Sequence, residues 1–520
     1  MPRALLLGID GATFDVLDPL MRDGTMPFLA GLVDRGVRAP LMSTALPLTA
    51  QAWPSLMTGR SPGHHGLIDF ARFQPAPAGG GSFRFTTSRD LMCETIWTRA
   101  SRQGRTATAL NFFGLYPPLP IDGHSIGAFI PWRHLKDAIH PPELYARLQQ
   151  LPGFARRELA MDHELEKKCL AGLAEGETRG WIELHTRREA QWLAILRHLL
   201  TTEPSDVVAV VFDGTDKLQH ACWRHIDPAC LPAQPTEADR EIRTLCLDYF
   251  RRLDAILAEV AALAGPDVRV FVASDHGFGP TREVFYVNAW LAGQGLLAWR
   301  DGVAEDRGDR LSEDRMRSLV ELVDWERTRA FAVTPSSNGI HLAPGCEHLA
   351  PAIAQALLRF RDPASGAPVV TAVRRREDTY PGPYGDRAPH LVLTLRDHGF
   401  VSVLPAPTPL VARATVAGTH RPEGVFVAAG PGIASGITVP ALSILDVAPL
   451  LLHCLGLPVD DDLEGRLPAE IFAPGVLERE PVRTRAATPA RHVVPAGAGS
   501  AALPGQELVE ERLRALGYFE

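Results

Sequence analysis

Long apolar runs are missing from this sequence. No stretch of the 520 residues approaches the ~20 apolar residues that a membrane span requires. The amino terminus, MPRALLLGIDGATFD, places only six residues between Arg3 and Asp10. A secretory signal needs ~7–15 apolar residues and a small-residue cleavage site, and neither is found. Cysteine is scarce: seven residues, at 93, 169, 222, 230, 246, 346 and 454, with no Cys-x-x-Cys pair. That odd, sparse set argues against a disulfide framework and for a reducing compartment, each cysteine reading as a small buried apolar residue. A basic excess is also absent. Lys and Arg number 53 against 61 Asp and Glu, mixed along the chain, for a net charge of −8. No basic footprint for nucleic acid results. Together these absences predict a cytoplasmic protein that engages neither membrane nor nucleic acid.

What is present is an ordinary apolar content of 46%. A single core stops growing at ~250–300 residues, so the length implies a large α/β domain with insertions, or two domains. Residues 4–9 form a short apolar run that ends at Asp10-Gly11. It reads as a buried parallel strand with a polar residue at its carboxyl end. Three later runs repeat the pattern. Residues 207–212 run into Asp213, residues 268–273 into Ser274-Asp275-His276, and residues 424–429 into Gly430-Pro431-Gly432. Apolar stripes at helical spacing cover residues 181–200 and 239–263 between them. Strands alternating with helices predict a largely parallel central sheet flanked by helices, with ligands beyond the carboxyl ends of the strands. Residues 1–286 and 386–473 are expected to form the core. Residues 287–385, mixed in pattern and strongly charged at 305–317, read as an inserted cap. Residues 474–503, rich in Ala, Pro and Gly, read as a linker to a carboxyl-terminal segment, 504–520, with a helix at 506–516. The Pro-, Gly- and aromatic-rich stretch 111–132 suggests a loop near a site.

Five segments carry chemistry. Asp10, just past the first strand, suits a metal ligand or a helix cap. Thr49, in ALPLTAQAWPSLMTGRSPGHHG, stands at the start of a short helical stretch ending near Thr58-Gly59. Its hydroxyl suits a helix cap, or a nucleophile favoured by the free N–H groups and the dipole there. A threonine hydroxyl attacks only with help from a base or a metal. In DGTDKLQH, Asp216 and His220 are four apart and share one helical face, with Asp213 nearby as a supporting or capping carboxylate. In ASDHG, Asp275 and His276 can face one ion only at a turn, which Gly277 permits. His420, in GTH, stands before the last predicted strand. Three carboxylates and three imidazoles are enough for two ions of roughly three ligands each, with positions left open for substrate.

The segments LLLGIDGATFD, LTAQAWPSLMTGRSPGHHG, TDKLQH, VASDHGFG and GTHRPEG, in that order, resemble the type I phosphodiesterases/nucleotide pyrophosphatases of the alkaline phosphatase superfamily. The likeness extends from Leu5 to about Leu467. It implies an alkaline phosphatase-like fold and two divalent cations, zinc first, with manganese or iron as alternatives. It implies one ion held by Asp216, His220 and His420, a second held by Asp10, Asp275 and His276, and Thr49 bridging them. The family's Asp and His four apart select Asp216 over Asp213. The implied reaction is attack by Thr49 on a small phosphate ester, a phosphodiester or nucleotide-type substrate, followed by hydrolysis of the phosphothreonine. No Cys/Ser-x-Pro-x-Arg motif is present, which excludes a sulfatase.

The sequence departs from the family at one place. An Asn that helps bind the phosphoryl oxygen soon after the His-Gly is replaced here by Leu67-Ile68-Asp69-Phe70. His64 and His65 read as structural residues rather than ligands, and Lys217 and Arg421 as solvated or phosphate-facing cations. The alternatives are a phosphomonoesterase, a phosphotransferase or mutase, and a non-catalytic metal-stabilised binding protein.

Overall fold

In the computed structural model, which describes residues 1–75, 81–161, 165, 166, 169, 173, 175–300 and 322–487, the apolar runs form the middle of a ten-stranded sheet. Within the expected linker 474–503, residues 474–487 carry the short helix Val476–Arg479 and the strand Thr484–Arg485, which pairs with Val459–Asp460; the rest of it, the segment 504–520 with its expected helix at 506–516, and the charged stretch at 305–317 lie outside the described residues. Five strands run parallel at the centre, in the order Arg269–Ala273, Ala4–Ile9, Val207–Phe212, Ala107–Phe112 and Gly123–Gly127. Their residues are almost continuously apolar because helices cover both faces. Alternate residues feed two separate cores. Leu5, Leu7 and Ile9 pack with the long helices Glu175–Thr202 and Glu237–Ala264. Ala4 and Leu6 pack against the helices Thr49–Thr58, Ile96–Arg102 and Val447–Cys454. The segment 111–132 is not a continuous loop: it contains the strand Gly123–Gly127.

One strand departs from the repeating pattern. Glu423–Ala429 pairs antiparallel with both Arg269–Ala273 and Val37–Met42. Its carboxyl end, Gly430-Pro431-Gly432, therefore lies at the edge of the sheet away from Asp10. Its amino end lies beside Asp10 instead. The cause is the preceding long strand Leu410–Arg421, which pairs antiparallel with Gly277–Tyr286 and turns at Pro422 directly into Glu423. An apolar run specifies burial but not direction, and here the reversal delivers His420 to the same edge as the other candidates.

A smaller hydrophobic cluster runs from Phe285 to Val403 and has its own four-stranded sheet, in the order Ala330–Phe331, Gly339–Leu342, Leu391–Leu395, Val370–Arg375. The helix Ala350–Arg359 contributes Ile353 and Leu357 to this cluster. Its residues continue past Gly385, because Leu391, Leu393 and Leu395 share its core. Two loops carry it back over the main sheet. Asn338 donates to Gly399 O (3.1 Å) and accepts from Val401 N (2.9 Å), which fixes the segment bearing Phe400. The Phe400 ring stands edge-on to His420, with centroids 5.0 Å apart.

Candidate metal centre

The six candidate ligands come together as two triads at the carboxyl edge of the parallel strands. In the first, the helix Gly214–Ile226 presents Asp216 and His220 on one face, and the strand ending at Arg421 brings in His420. His420 Nε2 lies 3.1 Å from Asp216 Oδ1 and 3.0 Å from His220 Nε2, and His220 Nε2 lies 3.3 Å from the same carboxylate oxygen. The ring tautomers follow from the other nitrogens. His420 Nδ1 faces Pro47 O (2.8 Å) and His220 Nδ1 faces Gly418 O (3.3 Å). A carbonyl only accepts, so each Nδ1 must donate, and each neutral ring turns its Nε2 lone pair inward. Three acceptors converging at about 3 Å repel one another unless a cation sits among them.

The second triad is built on strand ends. Asp10 follows Ala4–Ile9, while Asp275 and His276 occupy the bend between Arg269–Ala273 and Gly277–Tyr286, the turn their adjacency requires. His276 Nε2 lies 3.2 Å from Asp275 Oδ2 and 3.6 Å from Asp10 Oδ1, with its Nδ1 donating to Gly277 O (3.1 Å). All three residues are at most 2% exposed. The inward oxygens, Asp10 Oδ1 and Asp275 Oδ2, are buried with no hydrogen-bond partner. A buried, unpaired carboxylate oxygen is costly, and two of them aimed at one point fit a divalent cation.

The electrostatics agree. Burial, then the neighbouring Asp275 and Asp216 charges, raise Asp10 well above the usual carboxylate range. Burial, reinforced by the Asp216 charge, pushes Asp275 up to about 8. Burial works on Asp216 in the same direction, and only positive charge on the side of His220 and His420, where a bound cation would sit, holds this carboxyl low. Burial lowers His276 and His420, so both stay neutral, as ligation requires.

Thr49 lies beside the second triad. It is the first residue of its helix, and Leu48 is the cap residue, with no side-chain capping bond. The Thr49 hydroxyl is therefore not spent on capping; it points to His276 Nε2 at 3.2 Å. The two triads are joined by the rings of His276 and His420, stacked with centroids 3.6 Å apart.

The chain has relatives among known proteins. Residues 4–422 match the family model for type I phosphodiesterase/nucleotide pyrophosphatase. The chain belongs to that family. Its fold is that of murine ectonucleotide pyrophosphatase/phosphodiesterase 5, solved as an inactive variant with AMP. The TM-score is 0.55 at 15% identity, over 91% of this chain and 100% of that one. Phosphonoacetate hydrolase from Sinorhizobium meliloti 1021, solved with phosphonoformate, gives a TM-score of 0.53 at 16% identity, over 87% and 95% of the two chains. Among the curated proteins the sequence finds no match. The chain is thus a phosphoric ester hydrolase by family, with an alkaline phosphatase-like fold. No helix among the described residues is long and apolar enough to cross a membrane.

Several supports of the family site were not apparent from its motifs. Trp53, one turn along the Thr49 helix, donates its Nε1 hydrogen to Asp10 Oδ2 (3.0 Å) and leaves Oδ1 free to face inward. Its ring lies over Gly8, where a Cβ would come within 2.7 Å of it. Gly11 adopts φ +68 and donates its N–H to Asp275 Oδ1 (3.2 Å). A tryptophan in an apolar stretch reads as core, and a backbone donor leaves no trace in sequence.

The remaining candidates have structural partners. Asp213 makes no cap bond and pairs with Arg188 (3.4 Å). Lys217 pairs with Glu166 (3.1 Å) beside the Phe129 ring. Arg421 donates to the carbonyls of His420 and Pro280. His65 resembles a partner for a Ser55 nucleophile (Nε2 to Oγ, 3.0 Å), but its Nδ1 accepts from Leu67 N (3.2 Å). Nε2 therefore carries the proton, and the pair is structural. Asp69 accepts from Thr334, Ser336 and Phe70 N, each at 2.7 Å, and so ties the loop at Thr334 to the segment after the Thr49 helix.

Proposed function

We propose that the chain hydrolyses a small phosphodiester or nucleotide-type ester with Thr49 as nucleophile between two divalent cations. Asp216, His220 and His420 would hold one cation, and Asp10, Asp275 and His276 the other. When bound, such ions acidify the attacking hydroxyl and offset charge on the phosphoryl group. The carrying observation is the uncapped Thr49 hydroxyl, at a helix start and 3.2 Å from His276 Nε2 of a buried triad whose partner triad stacks against it through His420. The helix fixes the Thr49 oxygen for attack, and its free N–H groups can receive a phosphoryl oxygen. The Thr49 oxygen then displaces the leaving alkoxide, and water cleaves the phosphothreonine. Zinc is the first choice of ion, with manganese or iron as alternatives, since mixed carboxylate–imidazole sets accept all three. The inserted region 287–385, with the segment 111–132, would set the substrate. Seven unpaired cysteines support a reducing, cytoplasmic setting.

Thr49→Ala is expected to lower the hydrolysis of bis-p-nitrophenyl phosphate by at least ~10⁴-fold, the scale on which loss of a nucleophile acts. Mass spectrometry of quenched turnover should find the phosphoryl adduct on Thr49. Full activity in that variant sinks the reading. Faster cleavage of p-nitrophenyl phosphate than of the diester would favour a phosphomonoesterase at the same centre.

A further inference from the structure

Away from the triads, a cavity of about 40 Å³ lies in the seam between the hairpin Ala71–Pro75/Gly81–Phe85 and the cap loop at Thr334. Arg72 and Arg387 both line it. The carboxylates nearby are already committed. Asp90 pairs with Arg84 and accepts from Thr87. Asp69 is filled by Thr334, Ser336 and Phe70 N.

The two arginines are not so committed. Arg72 has no side-chain hydrogen bond or ion pair among the described residues. Arg387 donates through Nη1 alone, to Gly66 O (3.0 Å) and Asp90 O (3.2 Å), with its guanidinium over the Tyr384 ring. The two cations sense each other: burial first, and then the Arg72 charge, lower the pKa of Arg387. His341 also lines the space as a neutral imidazole, held at about 3 by burial. The polar residues lining the cavity are thus the two arginines with donors to spare, a neutral ring, Thr86, Thr334 and Ser337, and two carboxylates already satisfied, Asp69 by its three donors and Asp90 by Arg84 and Thr87. By the measure that a water needs ~10–15 Å³, the space takes about three waters or one compact anion.

We infer that this seam is a binding site for a small oxyanion, phosphate in the first instance, held by Arg72 and Arg387 and separate from the metal centre. Forked N–H donors match tetrahedral oxyanions, and an anion between two like charges relieves their repulsion. The site joins the cap to the segment after the Thr49 helix, because Gln51 of that helix donates to Ile68 O (2.7 Å), one residue before Asp69. Its occupancy therefore tightens the cap on the core.

Calorimetric titration of inorganic phosphate into the metal-loaded chain tests this. The parent is expected to bind one phosphate more per chain than Arg72→Gln, while both keep any phosphate that competes with ester substrate. Arg72→Lys, which retains charge without the fork, is expected to weaken the additional site by about tenfold or more. Equal stoichiometry and affinity in the parent and Arg72→Gln overturn the assignment. If Arg72→Gln fails to fold, Arg72→Lys decides, and unchanged affinity in it overturns the assignment equally.

Discussion

The two triads use similar ligands on different scaffolds. Asp10, Asp275 and His276 sit on strand ends and a bend, and none is more than 2% exposed. Asp216 and His220 sit one turn apart on a helix, and the His220 side chain is 35% exposed. Strand ends in a sheet with covered faces are fixed by ladders on both sides. A helical pair beside an open imidazole is fixed on one side only. The buried triad is thus preorganised and sealed, while the helical triad is open to solvent. Under the proposed two-ion reading, an ion in the sealed triad would be held tightly and one in the helical triad would exchange readily.

Breaking the sealed side should cost most. Asp275→Ala leaves Asp10 and His276 with no third ligand and removes the acceptor for Gly11 N. Metal content is expected to fall from two ions to one. The activity loss should exceed the ~10–100-fold typical of removing an outer support. Retention of two tightly held ions would contradict the assignment. Next comes the open side. His220→Ala should lose the helical-triad ion to mild chelation while retaining the other, and added zinc should restore part of the rate; chelation that strips both ions together would erase the proposed contrast. Trp53→Phe keeps an aromatic ring over Gly8 but removes the bond to Asp10 Oδ2. A fall of ~10–100-fold in metal affinity is expected, measured by competition with a chelator, and confined to the sealed triad.

The smallest effect concerns stability. Burial raises Asp69 to about 6 from its ordinary 3.8. Between those values the folded chain holds a proton that the unfolded chain has released. Asp69 therefore makes stability fall as pH rises through that window, by up to about 3 kcal/mol. Denaturant titrations of the parent and Asp69→Asn from pH 4 to 7 should show this slope in the parent alone. Parallel profiles would contradict it.

The middle of the sheet was legible because continuous apolar runs ended by Asp10, Asp213 and Asp275 specify both burial and the working edge. The bend at Asp275-His276 was legible because adjacent residues cannot otherwise share an ion. The direction of Glu423–Ala429 was not, since it is decided by a turn at Pro422 after a long antiparallel strand. Nor was Trp53, whose partner lies 43 residues away, or the role of Asp69, whose hydroxyl donors belong to the cap. Pairing across such distances is set by packing, which no local pattern encodes.

The stacked rings of His276 and His420 carry a consequence for assembly. Each ring belongs to a different triad, yet neither can swing without displacing the other. Because His276 is fully buried, its ring serves as a fixed wall for His420, so the open triad inherits the aim of one of its ligands from the sealed one.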